Sequence, residues 1–257
     1  MPNPDPYPQR PANWILAALP PDQYEAAAAD LEPVALAENT VLYEVGVPLT
    51  HVYFPCTGFV SLMAPLKRDR WVEVAAAGRA GVVGICMMLG NDSANHRALA
   101  LAEGDGFRMT AGAFREALVR VPALAALLLR YADAFMTEVI QAAVCKGHHT
   151  LRQRLCRWLL EARDRSDADE LPYTQTLLAE VLTVRLASVS EAVGSLRDDG
   201  LIGTNAGHVS IRDRAGLEAA SCRCYGLVAD RLTRLRKEYR ELGGVAETRV
   251  GRRRGKK

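Results

Sequence analysis

The 257-residue chain contains no apolar run approaching the ~18 residues that a membrane-spanning helix requires. Its opening, Met1 to Arg10, is rich in proline and polar residues. No basic segment leads there into an apolar one, so it does not read as a secretory signal. The expectation is a disordered lead-in over residues 1–12, a cytoplasmic protein and no membrane partner. There is no C-x-x-C pair among the six cysteines, Cys56, Cys86, Cys145, Cys156, Cys222 and Cys224. Cys222 and Cys224, two apart, look too isolated to supply a four-ligand zinc site. Cys145, His148 and His149 place thiol and imidazole close together, and positions 145 and 149 share a face on a helix. Further ligands are wanting, however, and Gly147 interrupts the geometry. No metal is expected, and the cysteines read as reduced, small buried hydrophobes.

Catalytic signatures are missing as well. There is no G-x-S-x-G, no H-E-x-x-H, no phosphate-cradling glycine loop and no G-x-G-x-x-G. The five histidines do not cluster with carboxylates. An enzyme is not expected, and no catalytic residue is assigned.

What is present divides the chain in two. The first 150 residues carry 11 Lys and Arg against 15 Asp and Glu, and the remainder carries 21 against 15. Arg249, Arg252, Arg253, Arg254, Lys256 and Lys257 account for that basic excess, in a tail (241–257) suited to phosphate contact or simply to solvation. Asn13 to Leu31 reads as a short helical opening, with Asn13 able to cap it. From Val34 to Met109, short apolar runs alternate with Gly, Pro and Asn. The runs are Thr40–Tyr43, His51–Phe54, Phe59–Met63, Trp71–Ala75, Gly81–Cys86 and Arg97–Leu101, a pattern of short strands in a sandwich or barrel. Ala98–Ala102 also admits a helix, because alanine is poor in strands.

Helical character follows Thr110. One helix spans Ala111 to Val119, and Pro122 begins a second that reaches about Cys145. Leu124, Leu127, Leu128, Tyr131 and Phe135 lead an apolar stripe on it. Leu129, Met136 and Ile140 widen the stripe beyond one face, which calls for a second packing partner; one side is expected to pack on its own barrel and the other on the same helix of a second subunit, against the alternative of burial within one domain. A further helix carries Leu151, Leu155, Trp158, Leu159 and Ala162. Ser166 to Pro172 reads as a loop or hinge.

Thr174 to Ile202 is the most informative stretch. Thr174 can cap a helix whose apolar face is Leu177, Leu178, Val181 and Leu182. Thr183–Val184 break it, and a second amphipathic helix starts near Arg185 and ends at Asp198–Gly200. Two short helices joined by a tight turn make a helix-turn-helix. Two β-like runs flanking Asn205-Ala206-Gly207 have hairpin chemistry and form a wing. Asp213 then caps a final helix through Leu217, Tyr225, Leu232 and Leu235.

Over residues 14–225, and most specifically over CRWLLEARDR (156–165), the block 174–202 and DRAGLEAASCRCY (213–225), the chain resembles the cyclic-AMP receptor protein / fumarate-nitrate regulator (Crp/Fnr) family. The resemblance implies an α+β protein with three parts: an N-terminal cyclic-nucleotide-binding-like jelly-roll barrel (13–121), a long dimerisation helix (122–146) and a C-terminal winged helix-turn-helix domain (147–240). It implies a homodimer on a palindromic operator in double-stranded DNA, with RNA polymerase as a further partner. Thr174, Gln175, Arg185, Leu186, Ala187, Ser188, Ser190, Glu191, Asn205 and His208 are the expected DNA-facing residues. The family's recognition helix commonly opens Arg-Glu-(Ser/Thr)-Val-(Ser/Thr)-Arg. Here Ser188 and Ser190 match, while Leu186, Ala187 and Glu191 depart. Leu186 and Ala187 suit thymine methyls and Glu191 suits cytosine N4, so a different target sequence is expected.

The family's nucleotide site carries Gly-Glu-Leu and, about nine residues later, Arg-Ser/Thr. Gly84 and Arg97 match, but Ile85 stands for the glutamate and Ala98 for the hydroxyl residue. Cyclic AMP is therefore not expected. Gly84, Ile85, Cys86, Arg97 and Ala98 outline a pocket for some other ligand or simply fill the core. With no N-terminal cysteine cluster, an iron–sulfur cofactor is not expected either. The alternative to a DNA regulator is a ligand-binding adaptor whose winged helix contacts a protein.

Overall fold

Asn13 is fully buried and works in two directions. Its Oδ1 accepts from the N–H groups of Ile15 (3.1 Å) and Leu16 (3.3 Å), capping α1 (Trp14–Ala17), and its Nδ2 donates to the carbonyls of Pro55 and Gly81, both at 2.9 Å. The helical opening thus becomes two pieces, α1 and α2 (Pro21–Ala28), split at Pro20–Pro21, and it is pinned to the domain behind it. The computed structural model describes residues 11–66, 70–166, 169–171, 173–205 and 207–242. Met1–Arg10 of the lead-in, Ala206 of the wing turn and the basic tail past residue 242 lie outside the described residues.

Seven strands follow: β1 (Glu32–Leu36), β2 (Val41–Tyr43), β3 (His51–Pro55), β4 (Phe59–Pro65), β5 (Trp71–Ala77), β6 (Arg97–Ala102) and β7 (Gly104–Thr110). They form two antiparallel sheets, β1-β7-β3 and β2-β6-β4-β5. Among the described residues the hydrogen bonding does not close into a ring, so the barrel is a jelly-roll-like sandwich. Gly81–Cys86 is not a strand. Val83 exchanges backbone bonds with Tyr53 (2.8 and 3.0 Å), and then Gly84, at φ +98°, turns the chain into a short 3-10 turn at Ile85–Met87. β6 is a strand despite its alanines. The reason is that β2-β6-β4-β5 is covered on both faces. Ala98 and Ala100 of β6, with Val60 and Leu62 of β4, point into the sensor core. Leu99, Leu101, Phe59 and Met63 point the other way, into the core of the C-terminal domain. A doubly covered strand rewards small apolar side chains at the crowded positions over β-propensity as such.

Thr110 caps α3 (Ala111–Arg120), and α4 (Pro122–His148) starts with proline and runs unbroken through Gly147. Leu124, Leu127 and Leu128 have no exposure and Tyr131 only 4%; all four are buried in the sensor core of their own chain, with Phe135 packed against it. They form the side of α4 that packs on its own barrel. The last helix among the described residues, α9 (Cys224–Leu242), takes a further side of α4; Arg231 on it reaches Asp133 at 2.8 Å. What α4 leaves exposed is Leu129, Met136, Ile140 and Val144.

The C-terminal domain comprises α5 (Leu151–Ser166), β8 (Glu170–Leu171), α6 (Gln175–Leu182), α7 (Leu186–Asp198), β9 (Ile202–Asn205), β10 (His208–Ile211) and α8 (Arg214–Ala220). β8 lies in the segment read as a loop, and pairs with β10. The single final helix expected after Asp213 is broken at Ser221–Arg223, so α9 turns back along α4 instead of continuing the domain.

The domain is held on the outer sheet by aromatic and ionic contacts. Trp158 stacks edge-on with Tyr173 (4.8 Å) and Phe59 (6.4 Å), and its indole N–H donates to Glu73 Oε1 at 2.7 Å. Glu73 Oε2 accepts from Ser61 at 2.5 Å. Glu138 of α4 accepts from the Ala76 N–H (2.8 Å) and from Arg165 of α5 (2.7 Å). Burial pushes the Glu73 carboxyl up to about 7 from an ordinary 4.5, against the opposing hydrogen bonds from Ser61 and Trp158. The folded chain thus holds a proton there that the unfolded chain releases between about pH 4.5 and 7, so stability falls as pH rises through that window. Glu73→Gln should remove this slope and raise stability at pH 8 by on the order of 1–3 kcal/mol; urea unfolding of both proteins across pH 5–8 measures it.

Candidate nucleic-acid interface

Local chemistry builds the two helices as their residues dictate. The Thr174 hydroxyl accepts from the Leu177 N–H at 3.2 Å and opens α6. Leu178, Val181 and Leu182 are buried beneath it. Thr183 ends α6 in the left-handed region (φ +57°, ψ +51°), and the Val184 N–H closes the turn on the Ala179 carbonyl at 3.0 Å. α7 then starts after Arg185 and buries Val189, Ala192, Val193 and Leu196. Gly200, at φ +74°, delivers the chain to β9, whose antiparallel pairing with β10 makes the wing.

The opposite side is open. Thr174, Gln175, Arg185, Leu186, Ala187, Ser190 and Glu191 are exposed, as are Asn205 and His208 on the wing, and Ser188 is half-buried. Leu186 is 49% exposed, unusual for a leucine with a core within reach. Arg185 provides no side-chain cap to α7, so the first N–H groups of that helix face outward with the positive end of its dipole. The Ser190 hydroxyl donates to Gln175 Oε1 at 2.5 Å, tying the two helices together on this face.

Three arginines that support the face escaped the sequence reading. Arg152 of α5 bonds Ser195 and, at 2.5 Å, Asp199 at the end of α7. Arg154 of α5 donates to the Leu182 carbonyl and so satisfies the C-terminus of α6. Arg214 of α8 is paired with Asp164 at 2.7 Å. Their partners lie 28 to 50 residues away, beyond the reach of any periodic signal.

The expected pocket is built differently. Ile85 and Ala98 are buried in the sensor core, and a Cβ on Gly84 would already touch Leu49 at 3.1 Å. Cys86 is half-buried. The Arg97 guanidinium lies 3.9 Å over the Trp71 ring and 3.6 Å from Glu44. A cavity of about 360 Å³ lies elsewhere, between the sensor domain, α4, α5 and α9; Gly81, Tyr131, Glu138, Arg165, Tyr225 and Arg236 contribute to its walls. The isolation expected for Cys222 and Cys224 is also overturned: they meet Cys145 and His149.

This architecture is a two-sheet sandwich joined by a long helix to a helix-turn-helix with a wing. Residues 153–220 match the Crp-like helix-turn-helix domain. Solved structures with the same fold include FixK2 from Bradyrhizobium japonicum (19% identity, 75% of this chain and 98% of that one, TM-score 0.64). The c-di-GMP responsive global regulator CLP of Xanthomonas campestris also shares it (15%, 74% and 98%, TM-score 0.60). So does a CRP-family transcriptional regulator from Thermus thermophilus, TTHB099 (23%, 73% and 96%, TM-score 0.58). No curated protein sequence matches. Residues 153–220 are thus a Crp-like helix-turn-helix domain within a chain of Crp/Fnr fold.

Thr183 is a β-branched residue in a conformation that costs L-residues about 1–2 kcal/mol, and its Oγ1 is buried without a partner. Thr183→Gly should therefore raise stability by about 0.5–1 kcal/mol after the added freedom of the unfolded chain is deducted, read as a higher urea midpoint with an unchanged denaturant slope.

Proposed function

We propose that the chain is a homodimeric, sequence-specific DNA-binding transcription regulator. The observation that carries this reading is the contrast across α7: an apolar side buried in its own domain, and a side running from Arg185 to Glu191 left open beside the wing. The N-terminal half of α7 enters the major groove. Leu186 and Ala187 contact thymine methyls, Glu191 accepts from cytosine N4, and Arg185 with the free N–H groups of the first turn binds a phosphate. Asn205 and His208 bring the wing to the neighbouring backbone. Dimerisation runs through the exposed stripe of α4, Leu129, Met136, Ile140 and Val144, which repeats at intervals of seven and four on a helix whose other sides are covered. Two reading heads then address half-sites about 34 Å apart. Its place is the cytoplasm, with RNA polymerase as a further partner.

The signal is not cyclic AMP. The positions that would hold ribose and phosphate are a buried isoleucine and a buried alanine, and Arg97 is occupied by Trp71 and Glu44.

Selection of bound fragments from DNA of the protein's own source, followed by anisotropy titration at two salt concentrations, tests this function. A two-fold-symmetric site whose affinity falls with salt is expected, because phosphate contacts release counterions. Absence of enrichment with salt-insensitive binding would favour a protein-docking winged helix. Arg185→Ala should weaken all sequences alike and reduce the salt slope by about 1, whereas Glu191→Ala should cost about 1–3 kcal/mol at one base position and relax specificity there. Met136→Glu should yield monomers in analytical ultracentrifugation and abolish the two-fold footprint.

A further inference from the structure

We propose that Cys145, His149, Cys222 and Cys224 form a zinc site that clasps the end of α4 to the junction of α8 and α9. The four ligand atoms lie within 4.8 Å of one another. Cys145 Sγ and Cys222 Sγ are 3.5 Å apart, and Cys224 Sγ is 3.6 Å from His149 Nδ1. Tetrahedral zinc, with Zn–S near 2.3 Å and Zn–N near 2.0–2.1 Å, has S···S edges of about 3.8 Å and S···N edges of about 3.6 Å. Two edges are therefore already at that scale, and no other pair needs to close by more than about 1 Å.

Local structure presents each ligand. Cys145 occupies the last turn of α4, and His149 follows one turn later, where its N–H bonds the Cys145 carbonyl at 3.1 Å; i and i+4 share a face. Cys222 lies in the break after α8, and Cys224 opens α9. The break in the helix that was expected to be continuous is what turns both thiols toward α4. The three cysteines are buried in a cluster of their own, apart from the two large apolar cores. If packing were all that this point required, alanine or valine would serve, and the histidine would have no role.

The donor set chooses the ion. Thiolates with an imidazole favour zinc over magnesium or calcium. Four protein ligands leave no open position, so the site is structural and not catalytic. Three thiolates and a neutral imidazole around a divalent ion carry one net negative charge. Arg154 and Arg157 of α5 line the same small cavity as Cys145, and their positive charges offset that charge. The clasp therefore joins α4, α5 and the α8–α9 junction, the point where the long helix hands over to the reading head. It does not depend on whether that head reads DNA.

The test is direct. Full-length protein, reduced and stripped by a chelator, is titrated with zinc against a chromophoric competitor, and in parallel with cobalt(II). One equivalent of zinc per chain is expected, with a tetrahedral cobalt spectrum showing thiolate-to-metal charge transfer. Cys222→Ser and Cys224→Ser should each lose more than the about 10–100-fold in affinity that removal of a mere supporting residue costs, while Cys86→Ser keeps full binding. Zinc should raise the melting temperature of the unsubstituted protein and of Cys86→Ser only. Substoichiometric zinc, an octahedral cobalt spectrum without charge transfer, or full binding by a Cys222→Ser/Cys224→Ser double variant would overturn the proposal. So would a Cys145–Cys222 disulfide that, once reduced, yields a chain taking up no zinc. The cobalt spectrum of the unsubstituted protein decides the matter even if a serine variant fails to fold.

Discussion

Glu138 of α4 and Arg165 of α5 meet at 2.7 Å with their side chains only 9% and 11% exposed. A charge enclosed to that degree is tolerated only with partners, and removing one of such a pair typically costs about 3–5 kcal/mol because the other is left stranded. The same carboxylate accepts the Ala76 N–H of β5. One side chain therefore links the long helix, the outer sensor sheet and the first helix of the C-terminal domain. Glu161 and Arg157 extend the arrangement along α5, meeting each other at 2.7 Å. Directional, enclosed contacts of this kind resist sliding in a way that apolar packing does not, and they set how the reading head sits against the sensor.

That arrangement explains why the functional pieces lie close to one another. The cavity of about 360 Å³ has Glu138, Arg165 and Tyr131 in its walls together with Tyr225 of α9. The cysteine–histidine cluster lies close by, and Arg157 of the ion-pair network shares a cavity wall with its Cys145. A change at either point acts on elements that already meet.

Much of the molecule was legible in the chain because its signals are local. Thr174 and Asp213 cap the helices their side chains announce. The spacing of Leu178, Val181, Val189, Val193 and Leu196 placed both helices of the reading head and their buried sides. The residues expected to face DNA are exposed, Ser188 half so, because they are the complement of that stripe. Where the sequence reading failed, a contact between distant segments had overridden a local preference. Alanine-rich β6 is a strand because two cores compress it. Cys222 and Cys224 look isolated in the chain because their partners are 77 and 75 residues away.

The sequence by itself determined most of the elements, the caps, the helix-turn-helix with its wing, and the outward face of α7, since each depends on side chains within a turn or two of one another. Only the tertiary structure decided which side of α4 is left for a partner, how the C-terminal domain docks on the outer sheet through Trp158, Glu73 and Glu138, and that three thiols and an imidazole converge. Those outcomes depend on which surfaces meet once the chain has folded. Periodicity records that a side chain must be covered; it does not record what covers it.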